Sequence, residues 1–191
     1  RALANHPESE EAKKYAEQFP EELVIPQTVI YKGRKYIVSD IEPPALQYNY
    51  DIRSVTLPDT IKKINDLTFF SCGNLEEVVI PDGIKEIGTN PFLDCDSLQY
   101  IEFPESCCKF GSLIFGSSIR SVVFPSKIDS IDKLSFANCT EIEEIKLPVG
   151  ITSIDDQTFS GCSKLKTVII PEGVLKIGDD AFRNCTSLSS V

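Results

Sequence analysis

Six prolines divide most of this chain into near-equal lengths. Pro58, Pro81, Pro104, Pro125, Pro148 and Pro171 recur at intervals of 23, 23, 21, 23 and 23. Cys72, Cys95, Cys139, Cys162 and Cys185 follow at intervals of 23, 44, 23 and 23, the 44 spanning one shortened unit and one full unit. A fixed period of this length marks a chain of stacked supersecondary units. One unit cannot bury its own apolar face, so neighbours share a continuous core.

With each Pro as position 0, the apolar residues fall into columns. Position +3 holds Ile61, Ile84, Cys107, Ile128, Ile151 and Val174, and +6 holds Ile64, Ile87, Phe110, Ile131, Ile154 and Ile177. Position +11 holds Phe69, Phe92, Phe115, Phe136, Phe159 and Phe182, and +14 is the Cys column. Position +17 holds Leu75, Leu98, Ile142, Leu165 and Leu188, with Ile119 in the short unit. A degenerate earlier unit fits with Lys35 at 0, followed by Val38, Ile41, Leu46, Asn49, Ile52, Val55 and Leu57. The frame gives about seven units over residues 35–191.

The stretch before each Pro, such as LEEVVI at 75–80, alternates and predicts a short parallel strand. The Pro lacks an N–H and ends the ladder. A second extended piece, such as GIKEI at 83–87, predicts a return along the other side. Positions +7 to +16 then turn around the Phe that fills the coil. The expected fold is a repeat solenoid, mostly β and loop, in one domain. Residues 1–22 read as an N-terminal helix and linker. Pro7 and Glu8, Glu10 and Glu11 suit the start of a helix over 7–19, Ala12, Tyr15, Ala16 and Phe19 share one face, and Pro20 stops it. The chain stops at Val191, in a strand column with no polar cap. That predicts further chain beyond it or a partner over that end, self-association included.

Composition narrows the function. With 29 acidic and 19 basic residues the net charge is −10. No basic stripe is present for nucleic acid, and no apolar run of membrane-spanning length occurs. The single histidine, His6, lies outside the repeats, so a His-dependent triad within them is excluded. No P-loop or dinucleotide fingerprint is present. Carboxylate pairs such as Glu76–Glu77, Glu143–Glu144 and Asp155–Asp156 read as solvated faces or loop hydrogen-bond acceptors. The Cys column reads as inward-pointing structural thiols, with Asn49 in the same slot. C-x22-C is not a zinc spacing, and no metal or cofactor is expected.

The units PDGIKEIGTNPFLDCDSLQYI, PVGITSIDDQTFSGCSKLKTV and PEGVLKIGDDAFRNCTSLSSV resemble the BspA-like, Treponema-type leucine-rich repeat; IGDDAFRNC at 177–185 carries its core. The resemblance implies a right-handed α/β-type superhelix with short parallel strands on the concave face. VIYKGRKYIVSDI at 29–41 is similar to the hairpin that opens many members, so residues 23–40 are expected to form an N-terminal hairpin cap, with Lys32-Gly33 as its turn. The family implies a secreted or surface-attached bacterial protein with adhesive roles towards host matrix or other microbes, although some parasitic protists also carry members. It brings no shared catalytic residue or cofactor.

The expected function is therefore a non-enzymatic binding module whose partner is a protein or a glycan; the alternative is a structural spacer or self-associating segment. Outward positions +19 and +21 of the strands would line the concave face. They give Glu77, Val79, Tyr100, Glu102, Val123, Glu144, Lys146, Thr167 and Ile169 as candidate ligand-binding residues, with Ser54, Thr56 and Ser121 beside them. Val79, Tyr100, Val123 and Ile169 are apolar where a merely solvated face would be polar. The adjacent Cys107 and Cys108 look at first like a redox or metal pair. Cys107 takes the +3 core slot, however, and Cys108 should face out, so the two side chains diverge.

Overall fold

The computed structural model describes residues 19–126 and 128–190. The helix expected over 7–19 falls almost wholly outside them, as do His6 and Val191. Among the described residues there is no helix. Fourteen short strands are present: β1 (Glu22–Val24), β2 (Thr28–Tyr31), β3 (Arg34–Ile37), β4 (Ser54–Thr56), β5 (Lys63–Ile64), β6 (Glu77–Val79), β7 (Glu86–Ile87), β8 (Tyr100–Glu102), β9 (Lys109–Phe110), β10 (Ser121–Val123), β11 (Glu144–Lys146), β12 (Ser153–Ile154), β13 (Thr167–Ile169) and β14 (Lys176–Ile177).

Each turn of the solenoid follows the same path. A strand at +19 to +21 pairs in parallel with its counterpart one turn on, as in Val55 opposite Val78 and Ile145 opposite Val168. These strands run as β1-β4-β6, β8-β10 and β11-β13 along one face. The chain then turns at the Pro, where the +3 amide donates to the Pro carbonyl; Ile61 to Pro58 is 3.1 Å and Cys107 to Pro104 is 2.9 Å. The return strand at +5 and +6 forms the second ladder, β5-β7-β9 and β12-β14. Side chains at +20, +3, +6, +11, +14 and +17 meet inside. The Phe rings stack turn on turn: Phe69–Phe92 5.5 Å, Phe136–Phe159 5.2 Å and Phe159–Phe182 5.4 Å.

The outer turns between +7 and +17 carry a backbone requirement. Leu67, Asn90, Leu134, Gln157 and Asp180, all at +9, have positive φ. So do Ser71, Asp94, Asn138, Gly161 and Asn184 at +13, and Tyr48 one turn earlier. In each full 23-residue turn these two left-handed residues let the chain wrap tightly around the Phe; the short unit after Pro104 has neither. Thr68, Ser135 and Thr158, at +10, are buried, yet each hydroxyl donates to the carbonyl three positions back. Gly88 and Gly111, at +7, let successive turns approach. A Cβ on Gly111 would lie 2.7 Å from the Gly88 carbonyl carbon.

The first turn departs from the sequence frame. Lys35 is not at a Pro-like corner; it lies in β3, which pairs antiparallel with β2 around Lys32 and Gly33, both at positive φ. The counterpart of Pro58 is Pro26. β1 pairs with β4 in register, and the Ile25 amide donates to the Thr56 carbonyl at 3.0 Å, just as Leu57 donates to Val79 at 3.2 Å. The stretch from Pro26 to Pro58 is longer than any later unit, and the hairpin accounts for the excess. The hairpin is largely exposed, Ile30 to 79%.

The short unit after Pro104 is the second irregularity. Phe103, Phe110 and Phe124 cluster there, with Phe103–Phe110 edge-on at 5.1 Å and Phe124–Phe136 edge-on at 6.2 Å. The second ladder lapses between β9 and β12, and a small surface cleft opens beside Phe110, Leu113, Phe124 and Ile131.

Candidate binding face

The +19/+20/+21 strands position the candidate residues by alternation alone. In β6, β8, β10 and β11 the middle residue is buried and the flanking two are exposed. Val78, Ile101, Val122 and Ile145 anchor the strands in the core, so their neighbours must point out. The same alternation in β13 exposes Ile169 and half-exposes Thr167, so the nine candidates point outward from β6, the β8-β10 ladder and the β11-β13 ladder. Glu77, Tyr100, Glu144 and Thr167 fall in the +19 row, and Val79, Glu102, Val123, Lys146 and Ile169 in the +21 row. Adjacent members of a hydrogen-bonded run are about 4.8 Å apart. Val79, Tyr100, Val123 and Ile169 are all large exposed apolar groups, Tyr100 at 50%. The Tyr100 hydroxyl donates to Glu102 Oε2 at 2.6 Å; that bond is the main reason its pKa is raised.

The sequence frame missed the first rung of this face. β1 adds Glu22 and Val24 with the same outward alternation, and Val24 is among the exposed apolar residues. The signal was present: EELVIP at 21–26 repeats EEVVIP at 76–81.

The flanking charges behave differently from the face. Arg53 pairs with Glu76 at 2.6 Å, and Lys166 with Glu143 at 2.6 Å, each across one turn of the solenoid. Glu141 bridges Arg120 (3.1 Å) and Lys164 (2.6 Å), and Glu86 bridges Lys63 (2.8 Å) and Lys109 (2.9 Å). Hydrogen bonds from the lysines hold Glu86, Glu141 and Glu143 below the usual carboxylate range. Among the described residues, no such ion pair involves Glu22, Glu77, Glu102 or Glu144 of the face itself.

The other chemical candidates resolve into scaffolding. Cys72, Cys95, Cys162 and Cys185 each donate their thiol to the carbonyl of the preceding turn at 3.0–3.1 Å, that of Phe69, Phe136 or Phe159 for the last three. Asn49 takes their place by accepting from the Asp51 and Ile52 amides, 3.0 Å each. Burial pushes the Cys72 thiol up to about 11 and that of Cys162 to about 12. These thiols are poor nucleophiles. Asp66 and Asp156, at +8, accept the amides of Thr89 and Asp179 one turn on, 2.8 and 2.9 Å. Cys107 is buried and Cys108 exposed, so the pair diverges.

Comparison with known proteins bears on this arrangement. The family described as BspA type Leucine rich repeat region matches residues 39–133 and 116–191 in six copies. No curated protein sequence matches the chain. A T. pallidum leucine-rich repeat protein is similar in structure with a TM-score of 0.79 at 30% identity, over 89% of this chain and 78% of that one. A leucine rich cell surface protein from Faecalibacterium prausnitzii A2-165 gives 0.52 at 25% identity, over 89% of this chain and 47% of that one. A leucine-rich repeat protein from Eubacterium ventriosum gives 0.64 at 20% identity, over 86% and 51%; it shares the fold.

Proposed function

The chain belongs to the BspA-type leucine-rich-repeat family, and from that membership we propose that it is a non-enzymatic protein-interaction module of a secreted or cell-surface protein. Its binding site is the strand face, and its role is adhesion to a host-matrix or microbial surface. One observation carries the reading: Val79, Tyr100, Val123 and Ile169 stand exposed on strands whose inner residues are fully committed to the core. A rigid, prealigned surface with apolar centres loses little conformational entropy on docking. The surface location draws support from the F. prausnitzii relative, which is described as a cell surface protein.

The test is binding of the chain to an array of immobilised extracellular-matrix proteins, alongside the combined variant Tyr100→Ala, Val123→Ser, Lys146→Ala. Loss of binding with an unchanged melting temperature and circular dichroism supports the strand face. Undiminished binding by the variant refutes it. The second reading, a self-associating spacer, draws on Leu175, an apolar residue exposed at the outward +4 position. Concentration-dependent association by sedimentation, with no binding to the array, would favour it.

A further inference from the structure

The charge pattern of the strand face identifies the class of partner, on the premise that this face binds. Elsewhere along the solenoid, the repeats place a cation one turn away from a glutamate and close the pair: Arg53 on Glu76, Lys63 and Lys109 on Glu86, Arg120 and Lys164 on Glu141, Lys166 on Glu143. These flanking carboxylates are thereby neutralised by their own chain. On the face itself the same device is absent among the described residues. Glu22, Glu77, Glu102 and Glu144 project from β1, β6, β8 and β11; Val24 and Val79 share the strands of the first two, Val123 lies opposite Glu102, Thr167 opposite Glu144 and Ile169 opposite Lys146, and among the described residues the only cation on these two rows is Lys146.

We propose that the partner is a protein segment presenting basic side chains around apolar ones. Its lysines or arginines meet Glu77, Glu102 and Glu144, and its apolar groups cover Val79, Tyr100, Val123 and Ile169. A second copy docking face to face would set carboxylate against carboxylate, and an anionic glycan or nucleic acid would meet the same field; like charges across an interface are strongly unfavourable. A basic partner instead gains from pairing with Glu77 and Glu144, which form no ion pair among the described residues, and with Glu102, which holds only the neutral Tyr100 hydroxyl, and it is steered in by a protein of net charge −10.

The test uses three short synthetic peptides of equal length in which Val alternates with Lys, Ser or Glu, titrated into the labelled protein by NMR. The Lys peptide is expected to shift resonances of Glu77, Val79, Tyr100, Glu102 and Val123, and to bind more weakly as salt rises. The variant Glu77→Gln, Glu102→Gln, Glu144→Gln should lose about tenfold in affinity. A control, Asp82→Asn, Asp129→Asn, Glu172→Gln, removes as much charge from elsewhere and should change affinity less than about twofold. Equal weakening by the control overturns the proposal, because only net charge would then matter. Equal binding of all three peptides to the strand face overturns the charge class and leaves the face reading intact. Shifts confined to the hairpin or the last turn overturn the face reading itself, and no shifts with any peptide overturn both.

Discussion

Residue-scale chemistry in this solenoid is set by repetition, because each side chain meets its own copy one turn away. Phe159 is fully buried between Phe136 and Phe182. Phe159→Ala should cost about 3–5 kcal/mol, read from the urea midpoint. The left-handed positions offer the opposite sign. Leu67 sits at φ 54 with its side chain at the surface. Leu67→Asn should raise stability by about 0.5–1 kcal/mol in the same assay, since a branched side chain is penalised there and Asn far less. The Cys column gives a pH dependence. Burial raises the Cys72 and Cys162 pKa values to about 11 and about 12, above the ordinary thiol value of about 8.5. The folded state therefore holds protons that the unfolded chain has released. That stabilisation is complete below about pH 8.5 and falls away as pH rises towards 11–12. Urea midpoints should decline across this window, and less steeply in Cys72→Ala than in the wild type.

Elements were legible in the sequence to the extent that their columns repeat. The strand and return-strand positions, the Phe stack and the divergence of Cys107 from Cys108 follow from the period, since a side chain in a stack has one depth. What the period hid is where it breaks. Pro26 lies well over one period before Pro58, so the regular frame slid past it and placed Lys35 at a corner that is in fact a hairpin strand. The left-handed residues escaped notice because Leu, Ser, Gln and Tyr share those columns with Asn and Asp. No one residue type advertises the turn. The break at the short unit has a measurable consequence. Gly88 and Gly111 donate to the preceding turn at 2.7 Å and Gly178 at 2.8 Å. Residues 129–132 make no such rung bond among the described residues, and the cleft lies beside them. Hydrogen exchange at Ile131 and Asp132 should be faster by about tenfold or more than at Gly88 and Gly178. Equal protection would mean that the second ladder is continuous.

At the scale of the whole molecule, one stacking rule produces both the core and a surface. Burying Val55, Val78, Ile101, Val122, Ile145 and Val168 fixes the direction of their neighbours, so the composition of the strand face is free to vary without cost to the fold. The candidate residues could be placed from the sequence because alternation is a backbone property. Their open charges could not, because pairing depends on which column reaches which. The most direct measurement is hydroxyl-radical footprinting of the chain with and without a matrix protein it binds. Oxidation of Val79, Tyr100, Val123 and Ile169 should fall on binding, while that of Ile30 on the hairpin and Leu175 on the last turn stays unchanged. Protection of Ile30 or Leu175, with Tyr100 still oxidised at its free rate, would contradict the strand face as the site.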